Sequence, residues 1–220
     1  MNAPSRLARR IGWLYLSLVF LGPLAYLVGK EGFVVGDPAA TTAWIAGNEL
    51  LVRLGFVAEF GIIAVEIVLT TLLFVLLEPV SREWSGIAAL ARFAMVGVQA
   101  VNLGLGVALV AVPEAAGALL PALAGGELAW GAIFGFHLMV LAALIVGSGF
   151  LPKWLGWLVG VSALGYLAQG LGVMLVPDAA GFLETLVVAT ALPGELGLTF
   201  WLLIKGVDDN AWNTLERRAS

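Results

Sequence analysis

Read from its amino end, the chain alternates long apolar runs with brief polar interruptions. Six runs reach the length of a membrane crossing, at roughly residues 11–29, 54–78, 86–112, 128–150, 154–176 and 182–206. A spanning helix needs about 20 mostly apolar residues, each adding about 1.5 Å. The interruptions carry turn and stop chemistry: Glu78-Pro79, Val112-Pro113, Leu151-Pro152-Lys153 and Val176-Pro177-Asp178. Proline cannot continue a helix, and charge resists burial in lipid. The pattern predicts an all-α polytopic membrane protein, a bundle of six transmembrane helices arranged as three hairpins, in one membrane domain over residues 1–220. The longest interruption, residues 30–53, reads as an outer loop. Within it Asp37-Pro38-Ala39-Ala40 sets an N-cap aspartate before a proline at the first helical position. A short interfacial helix anchored by Trp44 should follow. Residues 207–220 read as a cytoplasmic tail.

Composition agrees with that pattern. Hydrophobic residues make up 61% of the 220 positions and charged residues 12%, with a mean hydropathy of +1.01. Soluble domains carry about 25% charged residues, so this chain lacks the polarity to cover a surface facing water. Cysteine is absent, which removes disulfides, thiolate catalysis and thiolate metal sites. The single histidine, His137, excludes a bis-histidine haem within one chain. A net charge of −4, spread out and without a basic patch, argues against a nucleic-acid partner. The first run reads as a true span and not a signal peptide, because it is long and no small-x-small cleavage site follows it.

Basic residues orient the bundle. With the amino terminus inside, Arg6, Arg9, Arg10, Arg82, Lys153, Lys205, Arg217 and Arg218 fall on the cytoplasmic side. Only Lys30 and Arg53 fall outside, and Arg92 lies within the third span. Eight against two is a positive-inside bias, and it places both termini in the cytoplasm of a cell with the bundle in its plasma membrane. Trp13, Trp84, Trp130, Trp154 and Trp157 sit near span ends, where an aromatic belt would put them.

The first and last thirds of the chain share a series of local matches. Gly12-Trp13-Leu14 corresponds to Gly156-Trp157-Leu158, and Asp37-Pro38-Ala39-Ala40 to Pro177-Asp178-Ala179-Ala180. Glu66-Ile67-Val68-Leu69-Thr70 corresponds to Glu195-Leu196-Gly197-Leu198-Thr199. The order is the same and both copies cross in the same direction. This is the signature of a parallel internal repeat of helices 1–2 and 5–6, with chance matching in a low-complexity apolar sequence as the alternative.

Polar groups at membrane depth are the candidate chemistry. Counted along the predicted spans, Glu66 lies about 18 Å from the cytoplasmic side, Gln99 and His137 about 19 Å, and Glu195 about 16 Å. Four helices thus offer polar groups at one level near the midplane. Each charge at a helix centre costs about 2.5–3.5 kcal/mol, so these groups should face the interior, share protons or find partners. Arg92, counted at about 9 Å, either snorkels or reaches toward Glu66 or Glu195. Glu59 lies two turns further out, where Arg53 or water can meet it, and Asn102 supports the same interior. Pro193-Gly194 is positioned to loosen the sixth helix beside Glu195. His137 is either a satisfied core hydrogen-bonder or a proton carrier. Glu66, His137 and Glu195 have metal-ligand chemistry, but no spacing among them identifies a metal site, and none is assigned.

Several of these pieces carry a resemblance. Arg53-Leu54-Gly55-Phe56, Phe134-Gly135-Phe136-His137-Leu138, Ser148-Gly149 with Pro152 and Leu155-Gly156, Gly194-Glu195-Leu196 leading to Trp201-Leu202-Leu203, and Lys205-Gly206-Val207 resemble the domain of unknown function 4386 family of bacterial six-helix membrane proteins. The likeness runs from about Arg9 to Val207. This chain departs from it with glutamate at 59 and 66 in place of aspartate, and with Glu78 in place of a basic residue. The resemblance implies the six-span topology and points to His137 and Glu195; it implies no activity.

Three functions fit these residues. The first is binding or transport of a small molecule, lipid or proton at the midplane layer. The second is a structural or accessory subunit, with room for a homo-oligomer. The third is an intramembrane acid/base enzyme, for which the chain shows no nucleophile, metal motif or phosphate loop. No cofactor is identified. A dry, fully paired layer would mark a scaffold, and an enclosed pocket would mark a binding protein.

Overall fold

The computed structural model describes residues 3–219. It contains α1 (Ala3–Pro23) continued by a π-helical turn (Leu24–Val28), α2 (Pro38–Gly47), α3 (Glu49–Leu77), α4 (Arg82–Ala111), α5 (Ala116–Ser148), α6 (Lys153–Leu175), α7 (Ala180–Ile204) and α8 (Asp209–Ala219). Six of these segments are long and apolar enough to cross a membrane. The protein is an all-α, multi-pass membrane bundle. Both chain ends and the α3–α4 and α5–α6 turns share one end of it, called the termini end below. The opposite end carries α2 and is called the loop end.

Successive spans pack side by side, and α7 closes the series against α1, so the six form a ring. Apolar side chains such as Phe20, Leu90, Val101 and Phe182 cover its outside, as lipid requires. Lipid supplies no hydrophobic drive between helices, so close backbone approach has to hold the spans together. Between α5 and α6 a methyl group on Gly170 would lie 2.7 Å from Ala132 N and Leu128 O. Between the π turn and α3, a methyl on Gly29 would lie 2.6 Å from the Cα of Gly55.

Four features depart from the hydrophobic pattern. The first is α5, which starts at Ala116 although its first turns, rich in glycine and broken by Pro121, read as a connector up to about residue 128. Leu120 and Leu123 pack there against Ile45, Val52 and Leu109, and this packing overrides weak helix propensity. At 33 residues, α5 is about 50 Å long and overhangs a hydrocarbon core of about 30 Å. The second is α2: Asp37 caps it as expected, accepting from Ala40 N at 2.9 Å, and Trp44 packs edge-on against Phe33 at 6.3 Å.

The third is the expected tail, which is the docked helix α8. Gly206 ends α7 with a φ of 72°, a left-handed conformation that favours glycine. Asp208 then caps α8, accepting from Asn210 N at 2.9 Å and Ala211 N at 3.1 Å. Trp212 Nε1 donates to Leu76 O at 2.8 Å, satisfying a carbonyl that the end of α3 leaves open. Ser5 N donates to Asp209 Oδ1 at 2.9 Å, which ties in α1. The fourth is α7, which runs unbroken through Pro193, so that bond does not unwind it. Gly194 there packs against Leu158 and Ser162 of α6.

Candidate functional site

The ring encloses two polar layers. In the first, every helix of the ring supplies one side chain: Tyr15, Glu66, Arg92, His137, Tyr166 and Glu195, from α1, α3, α4, α5, α6 and α7. Each lies nine to thirteen residues from the termini end of its helix, or about 14–20 Å.

Arg92 is the centre of this layer and is only 1% exposed. It does not snorkel: α4 begins at Arg82, which sets Arg92 about 15 Å deep. Its Nε donates to Glu66 Oε2 at 2.6 Å. Its Nη1 donates to His137 Nε2 at 3.0 Å and to the Tyr15 hydroxyl at 3.4 Å. The guanidinium carbon also lies 5.3 Å from the Tyr15 ring centre and 5.5 Å from that of Phe134, within cation–π range. On the far side of the imidazole, Nδ1 lies 2.8 Å from Ala88 O. A carbonyl only accepts and a guanidinium only donates, so Nδ1 carries the hydrogen and Nε2 is the acceptor. His137 is therefore a neutral imidazole of defined tautomer, oriented at both nitrogens.

Glu195 comes to the same layer but not to the same bond. Its electrostatic neighbours are Tyr166, Arg92 and Glu66, yet its buried Oε1 has no hydrogen-bond partner. The backbone around the two glutamates repeats: Thr70 donates to Glu66 O and Thr199 to Glu195 O, each at 2.7 Å. Aromatic rings fill the remaining space. Phe134 stacks on His137 at 5.9 Å and on Trp130 at 5.1 Å, with Tyr166 edge-on at 5.0 Å. Trp130 thus belongs to the core, whereas Trp13, Trp84, Trp154 and Trp157 are exposed. The cavity beside Arg92 and His137 measures about 10 Å³, room for at most one water.

The second layer lies nearer the loop end. Glu59, fully buried, pairs with Lys30 at 3.0 Å, and Lys30 Nζ sits 4.7 Å from the Tyr26 ring centre. The expected partner, Arg53, instead pairs with Glu49 at 2.6 Å on the surface, as i,i+4 geometry on α3 allows. Gln99 belongs here and not beside Glu66: it interacts with Tyr26 and is 2% exposed, with Oε1 unpartnered. The four added residues at the start of α4 move it about 6 Å along the axis. Asn102 is buried with its amide against Gly126. A cavity of about 210 Å³ opens in this layer, lined by Tyr26, Lys30, Phe33, Leu120, Leu123 and Glu127 among others. Among the described residues, no three of His, Asp and Glu gather as a metal site would require.

Sequence reasoning missed Tyr15, Tyr166, Tyr26, Lys30 and Glu127. A signal existed for the first three: the chain has only three tyrosines, and a phenol inside a span needs a polar partner. Lys30 and Glu127 carried none, because both fell in segments read as connector.

Comparison with known proteins places these residues in a wider group. The family described as Domain of unknown function (DUF4386) matches residues 11–206. An uncharacterized protein from Archaeoglobus fulgidus is 30% identical over 150 residues, which cover 68% of this chain and 82% of that relative. No solved structure matches.

Proposed function

Because the chain belongs to the family described as Domain of unknown function (DUF4386), whose name assigns no activity, we propose from geometry that it binds a small molecule or lipid in the loop-end cavity. One observation carries this reading. The loop-end layer has an open recess of about 210 Å³, and the midplane layer has only about 10 Å³ of free space. The midplane residues Glu66, Arg92 and His137 then act as a clasp for the ring, and the ligand sits one layer further out. Ligand pockets combine apolar walls with a few converging polar groups, and Leu120, Leu123 and Phe33 beside Lys30 and Glu127 have that make-up.

The test is native mass spectrometry of the purified protein, with identification of co-purifying small molecules. Val35 lines the cavity and is 49% exposed, so Val35→Trp should fill the space without disturbing the core. The wild type is expected to retain a small molecule or lipid that the variant releases. Equal retention by both would remove the cavity from the proposal.

A second reading, a structural or accessory subunit, is favoured by the pairing of Arg92 with Glu66 and His137 and by the small free volume beside it, about 10 Å³. In either case we propose that the termini end faces the cytoplasm across the plasma membrane, on the strength of the basic residues there. The chain has no cysteine, so single cysteines report topology cleanly. In intact cells an impermeant maleimide should label Asp178→Cys and not Glu83→Cys; the reverse result would invert the topology.

A further inference from the structure

The loop-end cavity has an unbalanced set of charges. Four ionisable groups interact around it: Lys30, Glu59, Glu127 and Glu184. Lys30 is committed to Glu59 at 3.0 Å, its side chain is 8% exposed, and the face of Tyr26 covers it. That pair cancels. Glu127 lines the cavity and makes no salt bridge among the described residues, and Glu184 adds a second carboxylate nearby. Lys30 is the cation on the lining and Glu59 holds it, so the carboxylates around the cavity outnumber the cations.

We propose, building on the binding reading above, that this cavity holds an organic ammonium ion, with its charge against Glu127 and its apolar part against Leu120, Leu123 and Phe33. Three observations favour that class over its competitors. An anion would have to take Lys30 from Glu59, leaving a fully buried carboxylate alone. A metal ion would need several oxygen ligands, and among the described residues no group of three carboxylates or imidazoles gathers here. Phe33 adds an aromatic ring to the lining, and aromatic rings attract cations. An ammonium N–H donates a hydrogen bond to the Glu127 carboxylate, which a quaternary head cannot do. The volume sets the size. A cavity of about 150 Å³ takes benzene, so about 210 Å³ takes a ring or short chain bearing one amino group.

Three probes of nearly equal shape test this: 2-phenylethylammonium, 2-phenylethanol and phenylacetate, titrated calorimetrically into the protein in a non-ionic detergent. The ammonium ion is expected to bind at least about tenfold more tightly than the alcohol, with phenylacetate weakest. In Glu127→Gln, which removes charge and breaks no salt bridge, the ammonium and the alcohol should bind alike; Val35→Trp should weaken both. The wild-type ranking alone decides the matter if the glutamine variant fails to fold. Equal binding of all three probes, displaced by Val35→Trp, would overturn the ammonium assignment and leave the binding reading intact. Phenylacetate binding tightest would overturn it in favour of Lys30. No binding of any probe would remove both readings.

Discussion

At Arg92 the Nε and Nη1 donors have acceptors: Glu66, His137 and Tyr15 close around one guanidinium, and the imidazole donates its single N–H, at Nδ1, to Ala88 O. Two turns toward the loop end, Lys30 and Glu59 form a similar buried pair, but Glu127, on the lining of a cavity there, makes no salt bridge among the described residues, and Gln99 Oε1 in the same layer has no partner. Both layers bear the cost of charge in a membrane, yet in the first the guanidinium is bonded to a carboxylate, an imidazole and a phenol, Glu195 Oε1 alone of the carboxylate oxygens named there lacks a partner, and the space beside it is only about 10 Å³. A buried polar network that is fully satisfied rigidifies a core. One with spare acceptors and free volume is built to receive something. Charge at membrane depth is therefore a poor locator of a binding site until its pairing is known.

The comparison can be broken first at Arg92. Arg92→Leu leaves Glu66 as a buried carboxylate without its counter-ion, which costs about 3–5 kcal/mol. Arg53→Leu removes an exposed pair and should cost about 0–1 kcal/mol. Melting temperatures in detergent should separate the two variants clearly. If they coincide, the midplane clasp does not hold the ring.

The double variant Arg92→Leu, Glu66→Leu sharpens the point. Replacing both members of a buried pair by apolar groups is often neutral, or stabilising by about 1–4 kcal/mol, where removing one is costly. Here His137 Nε2 and the Tyr15 hydroxyl would lose their partner, so a net cost of about 1–3 kcal/mol should remain. The double variant should thus melt above Arg92→Leu and below the wild type. A double variant no better than the single one would mean that Arg92 acts through His137 and Tyr15 more than through Glu66.

Much of the fold was legible because bilayer crossing imposes a length and a composition that any window along the chain reveals. The capped start of α2 was legible for the same local reason, since Asp37 and Pro38 act within one turn. Pairings across helices were not. Spans α5 and α6 are apolar all round, and a helix facing lipid on one side and core on the other shows no amphipathic stripe to give its rotation. Depth was readable to about one turn, enough to bring Glu66 and His137 to one level. That error was also enough to put Gln99 in the wrong layer, once α4 proved to start at Arg82. Lys30 and Glu127 stayed hidden because the segments that hold them are ordered by contacts made elsewhere, through Gly29 on Gly55 and Leu120 on Ile45 and Val52. Trp212 was hidden likewise, because its partner is the carbonyl of Leu76, 136 residues earlier.

The smallest expected effect separates the two glutamates that the sequence presents as equivalents. Glu66 and Glu195 begin the same five-residue pattern, and in both the threonine four residues on returns a 2.7 Å hydrogen bond to the glutamate carbonyl. Their side chains nevertheless do different work. Glu66 accepts a 2.6 Å bond from Arg92, and hydrogen bonds to a charged group contribute about 1.5–3 kcal/mol. Glu66→Gln keeps the shape and loses most of that. Glu195 has an unpartnered buried oxygen and shares Arg92 only at longer range. Its hydrogen-bonding neighbour is Tyr166, which a glutamine amide can also serve, so the cost of the lost attraction to Arg92 and the relief of desolvation nearly offset each other. Glu195→Gln should change stability by less than about 1 kcal/mol in either direction. Parallel thermal melts of the two glutamine variants, with Glu66→Leu and Glu195→Leu as volume controls, decide the matter. If Glu195→Gln costs as much as Glu66→Gln, Arg92 divides itself between both carboxylates, and the two repeat-like halves meet at one shared cation.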